Sequence, residues 1–300
     1  MTSLRLDSLP PLTRPAVVVG FSGWPDAAEV GSGAVAFLIR VLGASRFASI
    51  DPEPYFVFGE TRPSSLVLDA GGRVLSWPSS EFFAAHDPSG RDLLLFLGRE
   101  PSVRWPDFVD TLLDLAESLD GSPLFTLGGT YDRVSHRGDA RVSAWSPTME
   151  LRHVLARMEV PFSAYEGPTS IQTALVEGCR RRGLPCASLW GHAPHYVTGV
   201  PNPKVVHALL RRLAALLGLD VDLTALAAAG DELETQIEQA LRGRDDLLDY
   251  VRRLDAGGAP DWEPGLSATP SPAEAPSTER IINDLETLLR RLDEDDEDDT

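Results

Sequence analysis

Pro15-Ala-Val-Val-Val-Gly-Phe-Ser-Gly-Trp-Pro-Asp26 is the stretch on which the fold turns. Residues 15–20 form a short apolar, β-branched run without polar alternation, which reads as a strand buried on both faces. A loop leads from it into the long apolar stretch 27–42. Asp26 with Glu29 three residues later has the spacing of a capping box, which predicts a helix beginning at Asp26. Strand, loop and helix in that order make the repeating unit of an α/β sheet.

Working outward, the unit recurs. Residues 92–97, Asp-Leu-Leu-Leu-Phe-Leu, are again an uninterrupted apolar run. Phe108, Leu112, Leu115 and Leu119 then keep a helical period, and Leu124-Phe-Thr-Leu127 reads as the next strand. The alternation continues through a helix at 148–158, a short strand at 162–165, a helix at 169–182, a strand at 186–190 and a helix at 203–217. Tyr55-Phe-Val-Phe58 suggests a further strand. Residues 65–77, with a turn at Gly71-Gly72, suggest a hairpin inserted into the sheet or laid at its edge. The expected class is therefore α/β, a mostly parallel sheet with helices on both faces, occupying 1–218.

The texture changes after Gly218. Residues 219–255 read as a helical hairpin broken at Gly243. Residues 256–278 are rich in Pro, Gly, Ser and Ala, as in a flexible linker. Ile281, Leu285, Leu288 and Leu292 then recur at spacings of four, three and four, so 279–300 is expected to be an amphipathic helix with an acidic tail.

Composition narrows the function. A chain of 300 residues, 43% of them apolar, can bury a large core without a disulfide or metal. Cys179 and Cys186 match neither a zinc spacing nor a secreted disulfide framework. The first residues lack a signal peptide's apolar stretch, and no later run is long enough to span a bilayer, so a cytoplasmic location is expected. Net charge is −18, and residues 293–299 supply seven of the negatives, leaving −11 on the rest. That field disfavours nucleic acid and anionic membrane as partners. Arg180-Arg181-Arg182 is the best candidate basic patch, at a helix end where arginines usually serve the helix dipole and solvent.

Motif chemistry is sparse. The loop 20–26 has two glycines between strand and helix but no G-x-G-x-x-G and no Walker lysine. Asp26 and Glu29 also set carboxylates where a phosphate needs bare amides. Gly20-Phe-Ser-Gly-Trp24 begins like a nucleophile elbow, but Trp24 stands where the second glycine belongs. His192 and His195 are three apart with no third ligand in a recognised spacing, so they read as packed histidines and no metal or cofactor is expected. His136 reads as a general base, a pH-sensitive contact or an ordinary loop histidine. Candidate crevice residues are Trp24, Asp26, Arg62, Glu100, Gly128, Gly129, Glu166, His195 and Tyr196, each closely following an apolar run read as a strand. In parallel sheets those ends line the ligand crevice, although polar residues also belong in any exposed loop.

Several segments in consistent order resemble the proteasome assembly chaperone 2 family, particularly its actinobacterial branch. They are Gly23-Trp-Pro-Asp-Ala27, Arg62-Pro63, Gly98-x-Glu100-Pro101 with Trp105, and Leu127-Gly-Gly129. Further on come Tyr165-Glu-Gly-Pro-Thr169, Leu189-Trp190 through Pro194-His-Tyr196, and Pro201-Asn-Pro-Lys204. The resemblance implies a phosphorylase/hydrolase-like α/β fold, homo-oligomers with a trimer among the expected forms, and proteasome-related protein partners. It does not imply catalysis. Relatives that engage the proteasome ring commonly end in a hydrophobic-Tyr-any residue motif, whereas this chain ends Glu297-Asp-Asp-Thr300, which argues against that docking route. Ser135-His-Arg-Gly138 likewise departs from the Pro-His-Thr-Arg-Pro-like loop of relatives.

Two functions are carried forward. The first is a non-enzymatic, homo-oligomeric protein-binding or assembly factor whose helix at 279–292 reaches a partner groove. The second is a hydrolase or transferase acting on a small nucleoside-like or carboxylate substrate at the strand ends, with Glu166 or His195 as acid or base.

Overall fold

The computed structural model describes residues 3–68 and 71–256. The expected linker and the expected amphipathic helix with Ile281, Leu285, Leu288 and Leu292, together with the acidic run, lie outside the described residues. In chain order the strands are β1 (Leu4–Leu6), β2 (Ala16–Ser22), β3 (Ser45–Ile50), β4 (Ser64–Val67), β5 (Arg73–Ser76), β6 (Ser80–His86), β7 (Asp92–Arg99), β8 (Leu124–Asp132), β9 (Val142–Trp145) and β10 (Cys186–Pro194). The helices are α1 (Val30–Val41), α2 (Trp105–Ser118), α3 (Met149–Arg157), α4 (Ile171–Arg182), α5 (Pro203–Leu217), α6 (Thr224–Leu241) and α7 (Asp245–Asp255).

Eight strands form one sheet in the order β1-β3-β6-β7-β2-β8-β10-β9. Its centre, β7-β2-β8-β10, is parallel. The flanking strands run antiparallel. Every residue of β2 is buried, and successive side chains serve opposite layers. Ala16 and Val18 pack with α1, α5 and Leu155 of α3, whereas Val17, Val19 and Phe21 pack with α2 and α4. A strand with no polar side is the direct consequence of helices on both faces. The layer under α2 is aromatic: Phe96 has Phe82 at 4.9 Å and Phe21 at 5.1 Å between centroids, and Tyr55 meets Phe108 edge-on at 5.1 Å.

Four sequence expectations change. Tyr55–Phe58 is not a strand. Pro52 and Pro54 remove two donors, and Tyr55 and Phe56 instead donate to the Pro52 carbonyl in a turn that buries both rings. The 65–77 hairpin forms, but β4 and β5 make a separate two-stranded sheet. At 162–165 there is only a single bridge from Phe162 to Ala144. The helix after the first strand begins at Val30, behind a 3-10 turn at Ala27–Glu29 in which Ala28 and Glu29 take positive φ.

The arginine run is absorbed by structure. Arg182 reaches Asp110, Asp114 and Glu117 of α2 at 2.6, 2.7 and 2.9 Å, and Arg180 pairs with Glu177. Arg182 therefore fastens α4 to α2, while Arg180 is held within α4. Among the described residues no helix is long and apolar enough to cross a membrane.

Candidate functional site

The carboxyl ends of β2, β7, β8 and β10 lie side by side because the strands are parallel, and ligands of open α/β sheets bind there. Three helices begin at that end, each with free N–H groups and a positive dipole end that suits an anion. In this protein the chain's own side chains accept from them.

At α1 the acceptor is Asp26. Its Oδ1 receives Gly31 N–H at 2.7 Å and Ser32 N–H at 3.0 Å, and its Oδ2 receives the Ser32 hydroxyl. The expected capping box does not form, since the kink at Ala28 and Glu29 carries the carboxylate on to the next turn. Burial pushes the Asp26 carboxyl up to about 6, against the opposing pull of its three donors. Gly129 donates to the Pro25 carbonyl at 2.8 Å and bridges to Asp26. A Cβ on Gly129 would meet Ala27 O at 2.4 Å, and one on Gly31 would meet Leu127 O at 2.3 Å. These glycines let α1 sit hard against the strand ends.

At α4 the acceptor is Glu100. Its Oε1 receives Ile171 N–H at 2.9 Å, and the Trp24 N–H also points to the carboxylate. Burial raises its pKa. Gly128 leaves room for Gln172, whose Nε2 donates to the Leu127 carbonyl at 2.7 Å. At α5, Asn202 Oδ1 accepts from Val205 N–H at 3.1 Å.

The fold thus gathers Trp24, Asp26, Glu100, Gly128 and Gly129 around the ends of β2, β7 and β8. It does not bring the other candidates to them. Arg62 is exposed at the foot of the β4–β5 hairpin, and Glu166 is exposed in the loop before α4. His195 and Tyr196 face a second cluster under α6 and α7. His195 Nδ1 lies 3.2 Å from the Asp132 carbonyl and Nε2 lies 3.2 Å from the Tyr250 hydroxyl. The Tyr196 hydroxyl receives His136 N–H at 2.8 Å and lies 2.7 Å from His136 Nδ1. With that hydroxyl donating to Nδ1, Nε2–H of His136 donates to Glu238 Oε1 at 2.9 Å.

Sequence reading missed the other members of this cluster. Arg137 binds Glu238 at 2.6 Å and holds its carboxyl down at about 2. Lys204, the single lysine of the chain, donates to the His136 carbonyl at 2.8 Å and pairs with Glu234. That singularity was the available signal. His192 lies between Asp132 (2.8 Å) and the Ser143 hydroxyl (2.7 Å), the connectivity of a Ser-His-carboxylate triad. Ser143 is buried within β9, however. The neighbouring cavity, lined by His136, His192, Asn202, Lys204, Glu234 and Ile237 among others, measures about 20 Å³, room for one water. His192 therefore fastens β8, β9 and β10 together. Among the described residues no cluster of three or more His, Cys, Asp or Glu could hold a metal ion.

A mostly parallel sheet with helices on both faces, and with the helix N-termini at its strand ends bound by internal side chains, defines a three-layer α/β protein. Within that class the chain belongs to the PAC2 family, whose model matches residues 20–241. It is similar to a PAC2 family protein from Streptomyces avermitilis, with 33% identity, TM-score 0.72, and 79% of this chain and 99% of that one covered. A proteasome-assembly chaperone homologue from Mycobacterium tuberculosis matches at 32% identity with the same TM-score and coverages. PbaB of Pyrococcus furiosus, an archaeal proteasome activator, shares the fold at 21% identity and TM-score 0.64, with 79% and 97% covered. No curated protein matches the chain.

Proposed function

We propose that this protein is a non-enzymatic, assembly-chaperone-like factor that forms homo-oligomers and binds protein partners of the proteasome type. The observation that carries this reading is the filling of the α1, α4 and α5 N-termini by Asp26, Glu100 and Asn202. An anionic substrate at the strand ends would have to displace buried internal acceptors and meet two carboxylates instead of bare amides. The rival acid-base pair is weakened in the same way, since Glu166 is exposed in a loop and His195 is engaged by Asp132 and Tyr250. The partner class comes from the relatives, one a proteasome-assembly chaperone homologue and another a proteasome activator.

In this reading Ile281, Leu285, Leu288 and Leu292 form a stripe that reaches a groove on the partner. The acidic residues 293–299 steer it toward a basic surface. Affinity purification of the full chain beside residues 1–255, with mass spectrometry on both, tests it. Proteasome-type subunits recovered only with the full chain are the expected outcome. Their absence from both would refute the partner assignment, and equal recovery would move the contact to the body.

A further inference from the structure

The β4–β5 hairpin stands apart from the main sheet and is apolar on both sides. Its register pairs Leu66 with Val74 and Ser65 with Leu75. Leu66, Leu68 and Val74 therefore share one face, while Val67, Leu75 and Trp77 share the other. All six are between 43% and 67% exposed. A lone two-stranded hairpin is marginal in water, and contiguous exposed apolar surface of this kind marks an interaction site. A single amphipathic helix laid on it would cover one face and leave the other wet, so its occupant must supply two walls.

The chain itself carries an apolar groove. An open groove of about 600 Å³ lies at the hairpin's foot, with Ile50, Pro52, Phe58, Trp77 and Pro78 among its lining residues. Phe58 and Trp77 meet there at 4.8 Å between centroids. Trp77 sets the foot of the chain's own hairpin at the edge of this groove. Another copy's hairpin can enter.

Charge points the same way. Residues 61–80 contain Arg62, Arg73 and Asp69, a net of +1 in a chain of −18. Two copies of an acidic body repel, and a non-acidic arm is the element that can cross that field. In the groove Arg5 is held by Asp51 and Arg46 by Glu81. Glu53 also lines it, a carboxylate that Arg73 of an incoming arm can approach.

We propose that the 64–77 hairpin is an arm that docks in the groove between Phe58 and Pro52 of a second copy of this chain. The inference rests on the homo-oligomeric reading above and gives it a surface. Arm-into-groove contact is heterologous, so it closes into a ring when the rotation permits.

Sedimentation of the full chain and of a Leu66→Ser/Leu75→Ser variant tests this, together with a cross-link. The variant touches neither core cluster and should melt like the parent. It is expected to raise the concentration needed for assembly by about a hundredfold, as the loss of two apolar anchors implies. Val67→Cys chains mixed with Pro52→Cys chains should oxidise to a mixed disulfide dimer, and Cys179 and Cys186 are buried and stay silent. A parent that sediments as a monomer overturns self-docking while leaving the protein-partner reading intact. A variant that assembles like the parent overturns the arm but keeps the oligomer. Val67→Cys chains that link only to one another would show arm-to-arm pairing, which also overturns the groove.

Discussion

Asp26 is the residue on which the crevice depends, and its ionisation can be read in stability. Burial raises its folded pKa from 3.8 to about 6. Between roughly pH 4 and 6 the folded state holds a proton that the unfolded chain has released. Stability from this group therefore falls as pH rises through that window, by about 3 kcal/mol at most. Asp26→Asn does not titrate, so denaturant unfolding of both proteins should show wild type losing ground to the variant from pH 4 to 6 and no further change above about 7. A difference that moved in wild type's favour would mean that the Gly31 and Ser32 donors outweigh burial. The sequence placed Asp26 in the strand-end loop and recognised it as hostile to phosphate. It could not show that the carboxylate reaches Gly31 and Ser32, because that depends on positive φ at Ala28 and Glu29, which neither residue type advertises.

At the scale of elements, long apolar runs were legible and short exposed ones were not. β2, β7, β8, α2, α4 and α5 are buried enough to write their period into the chain. β3, β6 and β9 went unread: β3 begins with two exposed residues, β9 is only four residues long, and β6 mixes Glu81 and His86 with its phenylalanines. The pairing of His136, Arg137 and Lys204 with α6 was likewise illegible, since contacts across 30 to 102 residues leave no local pattern. Those contacts fasten α6 and α7 to the strand ends. Arg137 and Glu238 are each about a third exposed, which limits the pair to about 1 kcal/mol. Glu238→Ala also removes the acceptor of His136 Nε2–H, on a side chain that is 2% exposed. We expect that variant to speed amide hydrogen exchange in the last turns of α6 and in α7 by about tenfold, with the sheet unchanged. Uniform acceleration across the sheet would show that the clamp belongs to the global core instead.

The whole molecule joins a scaffold closed at its strand ends to surfaces left open elsewhere. Of the segments that suggested the family, those with Asp26, Glu100, Gly128-Gly129 and Asn202 lie where the structure closes the crevice, because holding these acceptors against helix ends demands specific residues, whereas those with Arg62, Glu166 and His195-Tyr196 lie elsewhere. The hairpin was visible as a hairpin, but its detachment from the sheet and the exposure of both its faces are tertiary facts that alternation alone could not supply. The central claim is that partners are proteins and the strand-end crevice is structural. Native mass spectrometry of the full chain recovered from its own cells tests this most directly. The account predicts copies of the chain associated with proteasome-type subunits and no small-molecule adduct. A bare chain carrying a stoichiometric small-molecule mass, lost when Asp26 or Glu100 is replaced, would contradict it.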